Sequence, residues 1–219
     1  MPPAENASRE KILARIRTAL HAPAPHHEPN YQPGEAKIIF APVTDALERF
    51  QKECVINVTE CALMPDLRAC TAAIKDVLGA LPPGDIFVQD SPDLRGMAAE
   101  WQDGRAIQWS SEGAPRESSQ VTISGCEALV AQTGSVLVSA ACGGRGISVV
   151  APVHIVVATM DQLVPDLETA LGRAQERGIV NNNSFLCLIT GSSRTADIEK
   201  ILVMGAHGPR RLLVFLAAR

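Results

Sequence analysis

The stretch Leu186–Lys200, LCLITGSSRTADIEK, decides how the chain is read. Phe185–Thr190 is an apolar run of strand length, and Gly191-Ser192-Ser193-Arg194 is a loop of small residues. The pattern from Thr195 to Met204 predicts a helix, and Leu212–Leu216 predicts a closing strand. Strand, loop, helix and strand in this order favour parallel pairing through a right-handed crossover, hence an α/β fold. Open α/β sheets bind ligands beyond the carboxyl ends of their strands. Thr190, Gly191, Ser193 and Thr195 are therefore candidate binding residues, with backbone N–H groups and a positive helix end aimed at a ligand. The same residues also suit an ordinary turn that caps the helix, with Asp197 and Glu199 complementing its dipole. Those two acids oppose a simple phosphate cradle. The loop matches neither the P-loop nor the G-x-G-x-x-G dinucleotide pattern.

Upstream, EALVAQTGSVLV (127–138) reads as a hairpin, with strands at 128–132 and 135–139 around Thr133-Gly134. Gln132, Thr133, Gly134 and Ser135 either hydrogen-bond a ligand or only serve the turn. Gly143, Gly144 and Gly146 surround Arg145. A guanidinium on such a loop can clamp a carboxylate bidentately, or simply face solvent between two strands. Ile147–Val150 and Ile155–Thr159 read as strands. His154, at the start of the second, is better suited to a structural hydrogen bond than to catalysis, and His207 belongs to the turn before the last strand. Together these residues predict a small-anion site, preferably for a carboxylate, where the 190–195 loop faces the 132–135 turn and the Arg145 loop.

Toward the amino terminus, Val43–Cys54 reads as a helix followed by a strand at CVINV (54–58), Met64–Leu78 as a second helix, and GDIFVQD (84–90) and AIQW (106–109) as strands. Val164–Glu176 is a further helix. Ser8–Leu20 is amphipathic, with Ile12, Leu13, Ile16, Ala19 and Leu20 on one face. The four prolines after it remove backbone donors and break any periodicity. The expected organisation is an N-terminal helix over 1–21, a proline-rich linker over 22–35 and an α/β domain over 36–219.

The charge balance, 20 Lys+Arg against 24 Asp+Glu, provides no basic field for a phosphate backbone, and 4% aromatics leave few stacking platforms. Nucleic acid is excluded as the main partner. No signal-peptide pattern and no long apolar run is present, which predicts a cytoplasmic protein that does not enter a membrane. The six cysteines contain no C-x-x-C pair, so they read as buried reduced thiols and not as metal or cluster ligands. No G-x-S-x-G elbow marks a nucleophile, and no flavin or nicotinamide motif is present. No cofactor is expected.

The segments ITGSSRTADIEKILVMGAHGPRRLLVFL (189–216), EALVAQTGSVLV (127–138), APVHIVV (151–157) and KILARIRTAL (11–20) resemble the LUD-domain family, in its lactate utilization protein C branch. The resemblance implies a three-layer α/β sandwich similar to the NagB/RpiA/CoA-transferase group. It also implies a non-redox subunit, inactive alone, of an assembly that oxidises L-lactate to pyruvate with iron–sulfur partner subunits. The family's turn often reads E-T-G-[ST], but this chain has Gln132 there. An amide supplies neither a carboxylate nucleophile nor a general base, so a transferase step through position 132 is disfavoured, while a binding role survives. The alternatives are a free-standing small-molecule enzyme and a ligand-binding sensor on the same fold.

Overall fold

The computed structural model describes residues 3–21, 42–101, 104–113, 118–196, 202–204 and 208–219. The chain divides into two compact units, Met1–Ala41 and Pro42–Arg219. The first contains helix α1 (Pro3–His21), which leaves Ile12, Ile16 and Leu20 exposed. Deleting residues 1–41 is expected to leave the second unit unfolding cooperatively, with stability changed by no more than about 0.5 kcal/mol. Chemical denaturation of both lengths checks this, and a molten shortened chain would place the helix in the core.

The second unit starts with α2 (Ala46–Ile56), β1 (Thr59–Met64), α3 (Leu67–Ala80), β2 (Ile86–Val88), α4 (Pro92–Ala98), β3 (Ile107–Trp109) and β4 (Val121–Ser124). It continues with β5 (Ala128–Val130), β6 (Ser135–Ser139), β7 (Val153–Thr159), β8 (Leu163–Val164), α5 (Leu167–Glu176), α6 (Ile179–Asn182) and β9 (Leu186–Ile189). It ends with β10 (Arg194–Ala196), β11 (Leu202–Met204) and β12 (Arg211–Ala217). Asp45, Asp66, Ser91 and Asp166 cap α2, α3, α4 and α5, each accepting from a backbone N–H three residues on.

Six strands form an all-parallel sheet in the order β1-β12-β7-β4-β2-β3. Strict alternation along β7 and β12 builds two cores. Val153, Ile155, Val157, Leu213 and Phe215 face one way and pack with α3, α4 and buried Trp101, whose indole N–H donates to the Thr71 carbonyl at 3.2 Å. Val156, Ala158, Leu212, Val214 and Leu216 face the other way, toward α2 and a second sheet, β8-β5-β6-β9. The far face of that second sheet (Ala128, Val130, Leu137) buries Ala170 and Ala174 of α5. The expected α/β architecture is thus present: a parallel sheet flanked by helices, with a smaller sheet between that sheet and α5.

Four local expectations are corrected. The stretch expected as a helix over 195–204 contributes β10 and β11, which pair antiparallel, with 197–201 outside the described residues. β9 lies antiparallel to β6 in the second sheet, so it does not enter the parallel sheet by a crossover. β12, the last strand as expected, is internal to the parallel sheet, between β1 and β7. Helical propensity differences of a few tenths of a kcal/mol yield easily to such pairing. CVINV is not a strand. The helical spacing of buried Phe50 and Cys54 carries α2 through Ile56, and β1 begins only after Val58, which has a positive φ of 57°. Ile147–Val150 forms turns, with the N–H groups of Val149 and Val150 donating to the Gly146 carbonyl.

Candidate functional site

The described residues enclose a cleft of about 580 Å³ at the carboxyl edge of the parallel sheet. Its floor is where β2, β4 and β7 end, at Gln89, at Gly125-Cys126 and at Val157–Thr159. From β2 the chain steps outward to β3 and then returns past β2 to β4, so the strand order reverses at this point. Ligand crevices of open α/β sheets lie at such reversals.

Gln89 ties the floor together: its amide donates to the Ala141 carbonyl at 3.2 Å and accepts from the Gly125 N–H at 2.8 Å. Gln162 does the same on the opposite side, donating to the Cys126 carbonyl at 2.6 Å and accepting from the Thr159 N–H at 2.9 Å. Glu127 accepts from the Ser139 hydroxyl at 2.6 Å and from the Cys142 thiol at 3.7 Å, and its second oxygen lies 3.6 Å from Arg177 Nη2. Burial pushes the Cys142 thiol up to about 11 and the Cys126 thiol well above its usual range, so both are poor nucleophiles at neutral pH. Arg173, in the last turn of α5, and Arg177, its C-cap residue, line the cleft four residues apart, each beside the buried alanine three positions before it (Ala170 and Ala174). Arg173 donates to the Asp161 carbonyl at 3.2 Å and makes no carboxylate pair among the described residues. The cleft therefore offers a guanidinium with unused donors, a second guanidinium facing a held carboxylate, and two amides locked in place.

The residues expected to form a site are placed differently. The 132–135 turn and the 190–191 loop do meet: Ser135 Oγ lies 2.7 Å from both Thr133 Oγ1 and Thr190 Oγ1. This hydroxyl row is packed against the end of α2. Arg49 donates to the Gln132 carbonyl at 3.3 Å and Asn57 to the Thr133 carbonyl at 3.0 Å. Gly134 and Gly191 have positive φ and press on Glu53 and Asn57. Ser193 donates its N–H to the Pro209 carbonyl, and Thr195 lies in β10. Arg145 is not with them. It donates to the Ser184 carbonyl at 3.0 Å, beyond the opposite end of the β6–β9 ladder, where Ser139 pairs with Leu186. Five strand residues separate the two ends by about 13 Å. His154 is inside the parallel sheet, wholly buried, with Nε2 2.9 Å from Ser124 Oγ. Asp197, Glu199 and His207 lie outside the described residues.

Gln89, Glu127, Asp161, Arg173 and Arg177 were not singled out from the sequence. The available signals are Glu127, at the head of the hairpin, and two arginines spaced i and i+4 at the end of α5.

Parallel sheet, strand reversal and polar crevice together define an α/β protein with a polar cleft at the carboxyl edge of its sheet. The family model of the LUD domain matches residues 108–217, half of the sequence, and the chain belongs to that family. It is 31% identical to lactate utilization protein C of Deinococcus radiodurans over 46% of this chain and 47% of that one, about half the relative's length. It is 25% identical to lactate utilization protein C of Bacillus velezensis over 94% of this chain and 88% of that one. A crystal structure of a DUF162 family protein from Deinococcus radiodurans shares the fold, with a TM-score of 0.59 and 18% identity over 78% of this chain and 96% of that one. Among the described residues, no helix is long and apolar enough to cross a membrane.

Proposed function

We propose that this chain serves lactate utilization as the non-redox subunit of an iron–sulfur assembly that oxidises L-lactate to pyruvate, and that it holds the small carboxylate in the cleft at the carboxyl edge of the sheet. The names carried by its relatives support the role in lactate utilization. One observation supports the ligand: Arg173 lines the cleft beside Arg177 with no carboxylate partner among the described residues. A guanidinium with free donors matches a carboxylate in shape and charge. Redox chemistry falls to the partner subunits in this scheme, and the isolated chain binds without turning over.

Calorimetric titration of L-lactate into the full chain and into Arg173→Ala tests the ligand. One charge-assisted hydrogen bond contributes about 1.5–3 kcal/mol, so the variant is expected to bind about tenfold to a hundredfold more weakly. Its thermal stability is expected to change by less than about 0.5 kcal/mol, because the side chain is on the surface. Equal affinities for the two proteins would remove Arg173 from the site. Turnover of a small acid by the isolated chain would favour a free-standing enzyme, and failure to copurify with iron–sulfur proteins would count against the assembly.

A further inference from the structure

Facing the Arg177 guanidinium, at the end of α5, is a carboxylate that the fold holds in place. Glu127 directly precedes β5, and its side chain is only 11% exposed. One oxygen is held by the Ser139 hydroxyl at 2.6 Å and the Cys142 thiol at 3.7 Å. Ser139, itself fully buried, also receives the Ala141 N–H at 3.1 Å, so the anchor is rigid. The other oxygen lies 3.6 Å from Arg177 Nη2, a loose pair that leaves acceptor capacity toward the cleft.

A carboxylate paired with a guanidinium accepts hydrogen bonds and donates none. Whatever ligand atom faces the second oxygen of Glu127 must therefore bring a proton. Beside a carboxylate bound at Arg173, a hydroxyl on the adjacent carbon supplies that donor. A keto oxygen at the same place sets two acceptors against each other, and a bare methylene leaves Glu127 without its partner. A site built to hydrogen-bond a hydroxyl rejects analogues that lack it more strongly than an apolar pocket distinguishes sizes. We infer that Glu127 makes the cleft selective for 2-hydroxy acids over the corresponding 2-keto acids and unsubstituted acids. The inference rests on the proposed carboxylate site and adds what the site recognises beside the carboxylate.

The remaining acids of the cleft do not compete for this role. Asp161 accepts from the Thr159 hydroxyl, and Asp93 lies in the first turn of α4, where it complements the helix's positive end. Both carboxylates repel any bound anion.

The test is calorimetric titration of L-lactate, pyruvate and propionate into the full chain, into Glu127→Gln and into Glu127→Asp. Wild type is expected to bind L-lactate about tenfold or more tightly than the other two. Glutamine keeps an acceptor for Ser139 but brings an amide donor, so the preference for lactate over pyruvate should fall by about tenfold. Aspartate keeps the charge but withdraws it by one methylene, and the preference should shrink as well, which covers the case in which the glutamine variant fails to fold. Equal binding of the three acids by wild type, or a lactate preference that survives in a folded variant, overturns the role of Glu127 and leaves the carboxylate site standing. No binding of any of the three to wild type overturns the carboxylate site, and this inference with it.

Discussion

Gly191→Ala is expected to destabilise the protein by on the order of 3 kcal/mol, lowering its thermal midpoint by about 6–12 °C for a unit of this size. Gly191 has φ +84°, and a Cβ there would lie 2.0 Å from the carbonyl oxygen of Asn57 and 3.0 Å from its Cβ. Both obstacles are stiff: Asn57 closes α2, and its side chain is committed to the Thr133 carbonyl. The next residue strengthens the dock, since Ser192 donates to the Val58 carbonyl at 2.8 Å and receives the Leu212 N–H at 3.3 Å. Relief would require moving the loop off α2 and β12 together. Gly79→Ala is the control: it lies in α3 with nothing within 4 Å of its would-be Cβ, and it should stabilise by up to about 1 kcal/mol. Denaturant unfolding of both variants checks this. A Gly191→Ala midpoint within error of wild type would mean that the loop does not pack on α2.

The loop that reads most like a ligand cradle packs at Gly191 and Ser192 against the end of α2, and the sequence does not reveal that packing for a physical reason. A small-residue loop after an apolar strand gives the same sequence signal whether it meets a ligand or a helix end, because both need positive φ and close approach. What distinguishes them is Asn57, 134 residues upstream of Gly191 and far outside any local pattern. The parallel core was legible because its rule is local. The alternation in VHIVVAT and RLLVFLA assigns each side chain to one of two faces, and the structure places them there. The sequence could not say which sheet receives LCLI, because an apolar run of four pairs equally well either way. The cleft depends on still longer range. Glu127 meets Arg177 only after β5, β6, β7 and α5 have folded between them.

Acid is expected to unfold the protein through His154. Its side chain projects from β7 into the face shared with Val156 and Ala158 and is wholly buried. Nε2 meets the Ser124 hydroxyl, while Nδ1 has no hydrogen-bond partner among the described residues. Among the described residues no carboxylate stabilises a proton there, and burial lowers its pKa from 6.5 to about 4. The unfolded chain keeps a value of about 6.5, so between the two values it binds more protons than the folded one. Stability therefore rises with pH through this window. The contribution is complete above about pH 7, falls as pH drops from 6.5 toward 4, and is lost below 4, a total of about 3 kcal/mol. Asp90 titrates outside the window: Arg95 holds its carboxyl down at about 2, so stability linked to it is lost only below the ordinary aspartate range. His154→Gln retains a partner for Ser124 but cannot be protonated. Urea unfolding at pH 7, 6, 5 and 4.5 should show a steep loss of stability in wild type and a much flatter profile in the variant, even if the variant starts lower at pH 7. Parallel profiles for the two proteins would assign the acid sensitivity to another group.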